Sequence, residues 1–216
     1  MAKQSLGLLT LNQIVDCLQK REVVVEPLLS GEQIDCASIN LRIGNYFAEF
    51  RSAKMACIDP GTIGDTYKNF LDFVEIEFFE EPFYLQPKRF VLAQTFEYIS
   101  LPNNVVGHLE GRSSVAREGL TVHAAAGLVD PGFRGHLVFE LLNAGEMPLA
   151  LYPLMSVAKI SFERTSGKAQ YSGQYRGQVR IVPPRNDLDV VKIRKIGKKI
   201  RRIRKGLLKE RSLDRV

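Results

Sequence analysis

The chain has 216 residues, 45% of them hydrophobic and 25% charged, which suffices for one sizeable core and excludes a disordered body. Of its 30 lysines and arginines, 12 fall in residues 192–216, leaving 18; of its 24 carboxylates, 2 fall there, leaving 22. The formal net charge of +6 is therefore a tail of +10 on a body of −4, and it does not mark the body as a nucleic-acid-binding surface.

In chain order, Thr10–Gln19 reads as a short helix. Thr10 caps it, Gln13 sits three residues on as in a capping box, and Leu11, Ile14, Val15 and Leu18 make one apolar face. Strand signals follow. Ser38–Ile43 alternates polar and apolar residues and meets a turn signal at Gly44-Asn45. Phe83–Leu85, Phe90–Ala93 and Phe96–Ile99 read as short strands separated by Pro or polar residues, and Leu137–Leu142 and Val157–Phe162 continue the pattern. Many short strands with Gly and Pro punctuation imply a mainly β, antiparallel sandwich or barrel-like fold. The predicted domain covers 1–187. Its last part, 164–187, is rich in Gly, Ser, Gln, Tyr and Pro and reads as a flexible arm. Residues 188–216 form a basic amphipathic tail in which Ile193, Ile196, Ile200, Ile203 and Leu207 recur at heptad spacing, broken by Gly197 and Gly206. A basic helix on its own, a trimeric coiled seam, and a segment binding nucleic acid, acidic lipid or an acidic protein surface all suit this composition.

The cysteines are Cys17, Cys36 and Cys57, an odd number without a Cys-x-x-Cys pair. They point to buried thiols in a reducing compartment. No apolar run approaches the ~20 residues that span a bilayer. The start also lacks a basic segment followed by an apolar stretch and a cleavage site. The expected location is the cytoplasm.

The chemistry concentrates between Gly111 and Glu140. Gly111-Arg112-Ser113-Ser114 supplies a planar cation, two hydroxyls and a permissive backbone for a polyanion, and Ser113–Arg117 can form a helical turn whose N–H groups face it. Four common residues also make an ordinary capped surface turn. Asp130-Pro131-Gly132 opens a turn in which Asp130 either satisfies backbone donors or accepts a sugar hydroxyl. Glu140 shares one strand face with Val138 and Leu142, opposite Leu137, Phe139 and Leu141. A carboxylate there is either solvated or set in a site, where it can relay protons to and from a water. Together these groups suggest a pocket for a nucleoside triphosphate. His108, His123 and His136 lack zinc-site spacing, and the His-x-Glu and Pro-Cys-x-x-Cys pair of zinc nucleobase deaminases is missing from the sequence.

At these residues the chain resembles the dCTP deaminase branch of the trimeric dUTPase-like superfamily, specifically over Gly111–Phe162 and more weakly at Gln33–Gly44. The resemblance implies a β-clip, dUTPase-like distorted barrel with a short N-terminal helix, assembled as a homotrimer with sites between subunits. It implies hydrolytic attack at C4 of cytosine, with Mg²⁺ held by the triphosphate rather than by protein ligands, and no zinc. By position it makes Glu140 the proton-shuttling base, Arg117 its ion-pair partner and Ser113 a neighbour of the attacking water. Arg112 and Ser114 meet phosphate, Ala126 lies against the base and Asp130 faces the deoxyribose. Tyr175 and Gln178 match the arm that covers the triphosphate.

Glu140 separates this branch from plain dUTPases, which have an apolar residue there. Ala126-Gly127-Leu128 matches members that both deaminate dCTP and cleave the dUTP formed to dUMP and pyrophosphate. The chain departs from the family at Ala124-Ala125, where Val-Thr is usual, at Asn40 for Asp, and at Gln174 for the arm lysine. The altered arm and added tail leave a non-catalytic nucleotide-binding regulator as an alternative; a plain dUTPase is a third reading, and Glu140 argues against it.

Overall fold

The computed structural model describes residues 7–51, 58–59, 70–78, 81–173, 175–182, 190 and 192–202. By Cα packing the chain divides into one unit of residues 1–50 and 72–182 and a second of residues 51–71 and 183–216.

The first unit opens with β1 (Gly7–Leu8) and α1 (Leu11–Gln19), then β2 (Val24–Glu26), β3 (Ile39–Phe50), β4 (Leu71–Glu75), β5 (Phe83–Leu85), β6 (Phe90–Ser100) and β7 (Val105–Gly111). After α2 (Ser113–Ala116) come β8 (Leu120–Thr121), β9 (Leu128–Val129), β10 (Arg134–Asn143), β11 (Leu149–Leu151) and β12 (Ser156–Arg164). Among the described residues, one antiparallel sheet runs β8-β10-β6-β3-β12-β7-β9, with β1 on β12, β2 on β6 and β4 on β3, while β11 pairs β5. The ladders slip between His136 and Val138, between Ile43 and Phe47, and between Ser156 and Ala158. Such bulges bend a strand and increase its twist, so a sheet this wide curls around its apolar face.

Period-2 alternation decides what is inside. Leu137, Phe139 and Leu141 of β10 are buried, facing Ile39, Leu41 and Ile43 of β3 and Val157, Ile160 and Phe162 of β12 across a common core. Phe47 stacks on Phe83 with ring centroids 4.4 Å apart. Each such side chain contributes roughly 1.5–3 kcal/mol by leaving water.

Several expectations change. The chain does not turn at Gly44-Asn45: β3 runs through it. A Cβ on Gly44 would lie 3.0 Å from the Gln94 carbonyl oxygen, so this glycine permits close approach at a bulge. Phe90–Ala93 and Phe96–Ile99 are one strand, because Gln94 and Thr95 keep the alternation going. Thr95 is buried and accepts the Leu137 N–H on its hydroxyl at 2.9 Å. In α1 the Thr10 N–H donates to Gln13 Oε1 at 2.9 Å. The buried line is Ile14 and Cys17, however, and Leu11 is exposed. Cys36 is exposed rather than buried, and Cys57 lies outside the described residues.

Within the segment predicted as an arm, several backbone groups bond to the strands and turns before it. Thr165, Ala169, Tyr171 and Gly177 N–H groups donate to the carbonyls of Asn104, Asn103, Pro131 and Arg134. Gln178 and Ile181 are buried. Gln174 and Pro183-Pro184-Arg185 lie outside the described residues.

In the second unit the Arg51 N–H donates to the Phe70 carbonyl at 2.8 Å, and the Arg194 guanidinium pairs with Asp59. Residues 192–202 are helical; Ile203 and Leu207 of the heptad series lie outside the described residues. Among the described residues no helix is long and apolar enough to cross a membrane.

Candidate active site

Within one chain the polar residues of Gly111–Glu140 flank β7: Arg112 and α2 follow its last residue, while Val129, paired with Gly107, puts the Asp130 turn beside its start. β7 ends at Gly111, and the Arg112 N–H donates to the Val157 carbonyl at 3.0 Å, which keeps the chain on β12 as it enters α2. Arg112 holds an extended conformation before the turn, and its carbonyl accepts the Ala116 N–H at 3.0 Å. The Arg112 guanidinium donates to the Ser156 carbonyl at 3.3 Å, which fixes its stem and leaves other donors of the fork available. Ser113, Ser114 and Arg117 are exposed, and among the described residues their side chains make no hydrogen bond or ion pair.

The loop 122–127 then spans two strands. At one end the Val122 carbonyl accepts the Glu140 N–H at 3.0 Å; at the other the Gly127 carbonyl accepts the Leu109 N–H at 2.7 Å. A Cβ on Gly127 would meet the Leu109 carbonyl oxygen at 3.1 Å and the His123 ring at 3.3 Å, so the close fit favours glycine. Ala124, Ala125 and Ala126 are exposed along this bridge.

Glu140 faces outward from β10 and is half-buried, with the apolar neighbours Val138 and Leu142 on its face. Its position lies between the two expected extremes. The Ala124 N–H donates to Glu140 Oε2 at 2.9 Å. Oε1 makes no hydrogen bond among the described residues. Within one chain Arg117 and Glu140 do not pair.

Asp130-Pro131-Gly132-Phe133 is a turn with the Phe133 N–H on the Asp130 carbonyl at 3.1 Å and Gly132 at φ +81°, the type II pattern of Pro then Gly. The Asp130 carboxylate is exposed and accepts no hydrogen bond among the described residues, so the backbone-capping reading does not hold. The turn is gripped from outside. Its Pro131 carbonyl accepts from Tyr171, the Arg134 carbonyl at the start of β10 accepts from Gly177, and Gln178 bridges Gly135 in parallel register. A Cβ on Gly135 (φ +146°) would lie 2.8 Å from the Gln178 carbonyl oxygen. Gln178 is thus built into the wall behind the Asp130 turn, and Tyr175 sits half-buried just before it.

The histidines serve separate neighbourhoods. His108 meets Glu163 at 3.1 Å, His123 lies 3.9 Å from Glu110, and His136 Nδ1 lies 3.0 Å from the Thr95 carbonyl oxygen. Among the described residues no three His, Cys, Asp or Glu side chains converge as metal ligands.

A buried polar cluster around Glu97 was not legible as a unit in the sequence. Glu97 is fully buried. It accepts Gln33 Nε2 at 2.7 Å and the Arg42 N–H at 2.9 Å, with the Arg42 guanidinium 3.4 Å away. Burial pushes the Glu97 carboxyl up, against the pull of Arg42 and Gln33. Gln33 and Arg42 both belong to the early Gln33–Gly44 signature, which was the available signal. Asn40 beside them leaves its buried Oδ1 without a partner among the described residues.

The curled antiparallel sheet, with these exposed groups on its loops, defines a mainly β protein. The chain belongs to the dCTP deaminase-like family, whose model matches residues 8–165. It is 41% identical over 166 residues to "dCTP deaminase, dUMP-forming" of Methanothermobacter thermautotrophicus, covering 73% of this chain and 83% of that protein. It is 38% identical over 182 residues to "dCTP deaminase" of Buchnera aphidicola, covering 80% and 94%. Among solved structures, 2′-deoxycytidine 5′-triphosphate deaminase from Agrobacterium tumefaciens superposes with a TM-score of 0.60 at 21% identity. That match covers 76% of this chain and 49% of that chain, about half its length, and it establishes the shared fold.

Proposed function

We propose that the protein is a dCTP deaminase of the dUMP-forming kind. The observation that carries this is Glu140, an outward carboxylate oriented by a backbone N–H beside a loop of small exposed residues. One oxygen is held and the other is open to a water. As the water oxygen bonds to C4 of cytosine, Glu140 relays one water proton to N3 and the other to the departing amine, so that ammonia leaves and uracil remains. Ser113 helps to place the water, and Ala126 lies against the base. Asp130 accepts a deoxyribose hydroxyl, and Arg112, Ser114 and Tyr175 serve the phosphates. Gln178 supports the wall of the site from its buried position.

Water attack on the triphosphate of the dUTP so formed then gives dUMP and pyrophosphate. Ala126-Gly127-Leu128 and the name of the Methanothermobacter relative favour this two-step outcome. Arg112, Ser113 and Ser114 offer hydrogen-bond donors to phosphate oxygens, and Mg²⁺ would be carried on the triphosphate. Both described cysteines are free thiols, in keeping with a reducing, cytoplasmic setting.

Arg117 and Glu140 are unpaired within one chain, and Leu128 beside the site is 59% exposed. A homotrimer would cover such a surface and supply Arg117 of one copy to Glu140 of the next. Mixing inactive Arg117→Ala and Glu140→Gln proteins tests this: ammonia release from dCTP should return on subunit exchange. Two inactive proteins that stay inactive after exchange would contradict the shared site.

A further inference from the structure

Residues 192–202 hold seven lysines and arginines, three isoleucines, one glycine and no carboxylate. At 100° per residue the three isoleucines fall within a sector of about 60°, and the basic residues fill the rest of the circumference apart from the glycine. Ile193, Ile196 and Ile200 are 65%, 57% and 58% exposed. The Arg194–Asp59 pair ties the helix from its basic side. An apolar stripe is therefore left in water, flanked on both edges by cations.

Three partners would answer part of this. A coiled seam with other copies would bury the isoleucines but bring like charges together along its flanks, with no carboxylate in the stretch to offset them. Nucleic acid would neutralise the cations and leave the isoleucines in water. An anionic bilayer surface answers both, taking the stripe into its acyl boundary and the cations among its headgroups. We infer that this helix is a docking element for a membrane surface rich in anionic phospholipid. In an assembly of several copies the weak single-helix affinities would combine.

The test is co-sedimentation of the full chain with vesicles of phosphatidylglycerol and phosphatidylcholine in equal parts, against phosphatidylcholine alone. Duplex DNA is measured in parallel. The wild type should bind the mixed vesicles and be largely released by added salt. The double variant Ile196→Ser with Ile200→Ser should lose more than about tenfold in vesicle affinity while any DNA binding stays constant. Lys198→Glu with Lys199→Glu should abolish vesicle binding. An unchanged thermal melt shows that each variant is folded. Failure of the wild type to bind the mixed vesicles, or vesicle binding indifferent to the isoleucine changes, would overturn the inference. Binding to DNA alone would do the same and assign the helix to nucleic acid.

Discussion

The backbone N–H of Ala124 donates to Glu140 Oε2 at 2.9 Å, so the loop after β8 sets the orientation of a carboxylate on β10. A second tie, the Glu140 N–H to the Val122 carbonyl at 3.0 Å, holds the same loop to the same strand. Glu140→Gln keeps an oxygen for the Ala124 N–H but cannot take a proton from water. Ammonia release should fall by at least about 10²-fold, the usual contribution of a general base, while isothermal titration still shows dCTP binding. Turnover at the wild-type rate would remove Glu140 from the mechanism.

Asp130 presents an exposed carboxylate that makes no hydrogen bond among the described residues. Asp130→Ala should therefore leave the melting temperature unchanged and raise KM for dCTP about tenfold, the equivalent of one charged hydrogen bond. An unchanged KM would show that the sugar is held elsewhere.

Glu97 is a structural carboxylate, and its removal should be felt in stability. Glu97→Ala strands the Arg42 guanidinium and the Gln33 amide, a loss of about 3 kcal/mol and about 10 °C in Tm. Burial raises the folded value of Glu97 above the ordinary 4.5, so the folded state holds the proton more tightly than the unfolded chain does. This group's contribution is fully present below that ordinary value and is lost as pH rises through the raised one. Denaturant midpoints taken from about pH 5 to about pH 8 should thus decline with pH in the wild type more than in Glu97→Gln. Identical slopes would mean that Glu97 titrates like a free carboxyl.

Gly135 leaves no room for a side chain against Gln178. Gly135→Ala should cost about 2 kcal/mol and loosen the strip over 175–178 from the Asp130 turn. Limited proteolysis should then cut within 165–182 faster than in the wild type. An unaltered digestion pattern would show that the strip does not depend on this backbone approach.

The core was largely legible because period-2 alternation survives in β3, β6, β10 and β12. Gly44 misled as a turn signal, since a glycine that admits a neighbouring strand at a bulge looks the same in sequence as one that reverses the chain. Gln94 and Thr95 looked like a break because burial of a threonine depends on the Leu137 N–H, a partner 42 residues away. The 165–182 strip is held mainly by backbone groups, which composition does not reveal. At the site, Gly111–Glu140 announced its residue types, and the loop bonded to Glu140 through Ala124 was visible only in three dimensions. The Glu97 cluster was hidden for the same reason, its partners lying 64 and 55 residues away.

The most direct test is product stoichiometry with purified protein, dCTP and Mg²⁺, following ammonia, dUTP, dUMP and pyrophosphate together. Ammonia, dUMP and pyrophosphate should form in equal amounts with no build-up of dUTP. Ammonia with accumulating dUTP would contradict the dUMP-forming assignment. Bound dCTP with no ammonia at all would contradict the enzyme.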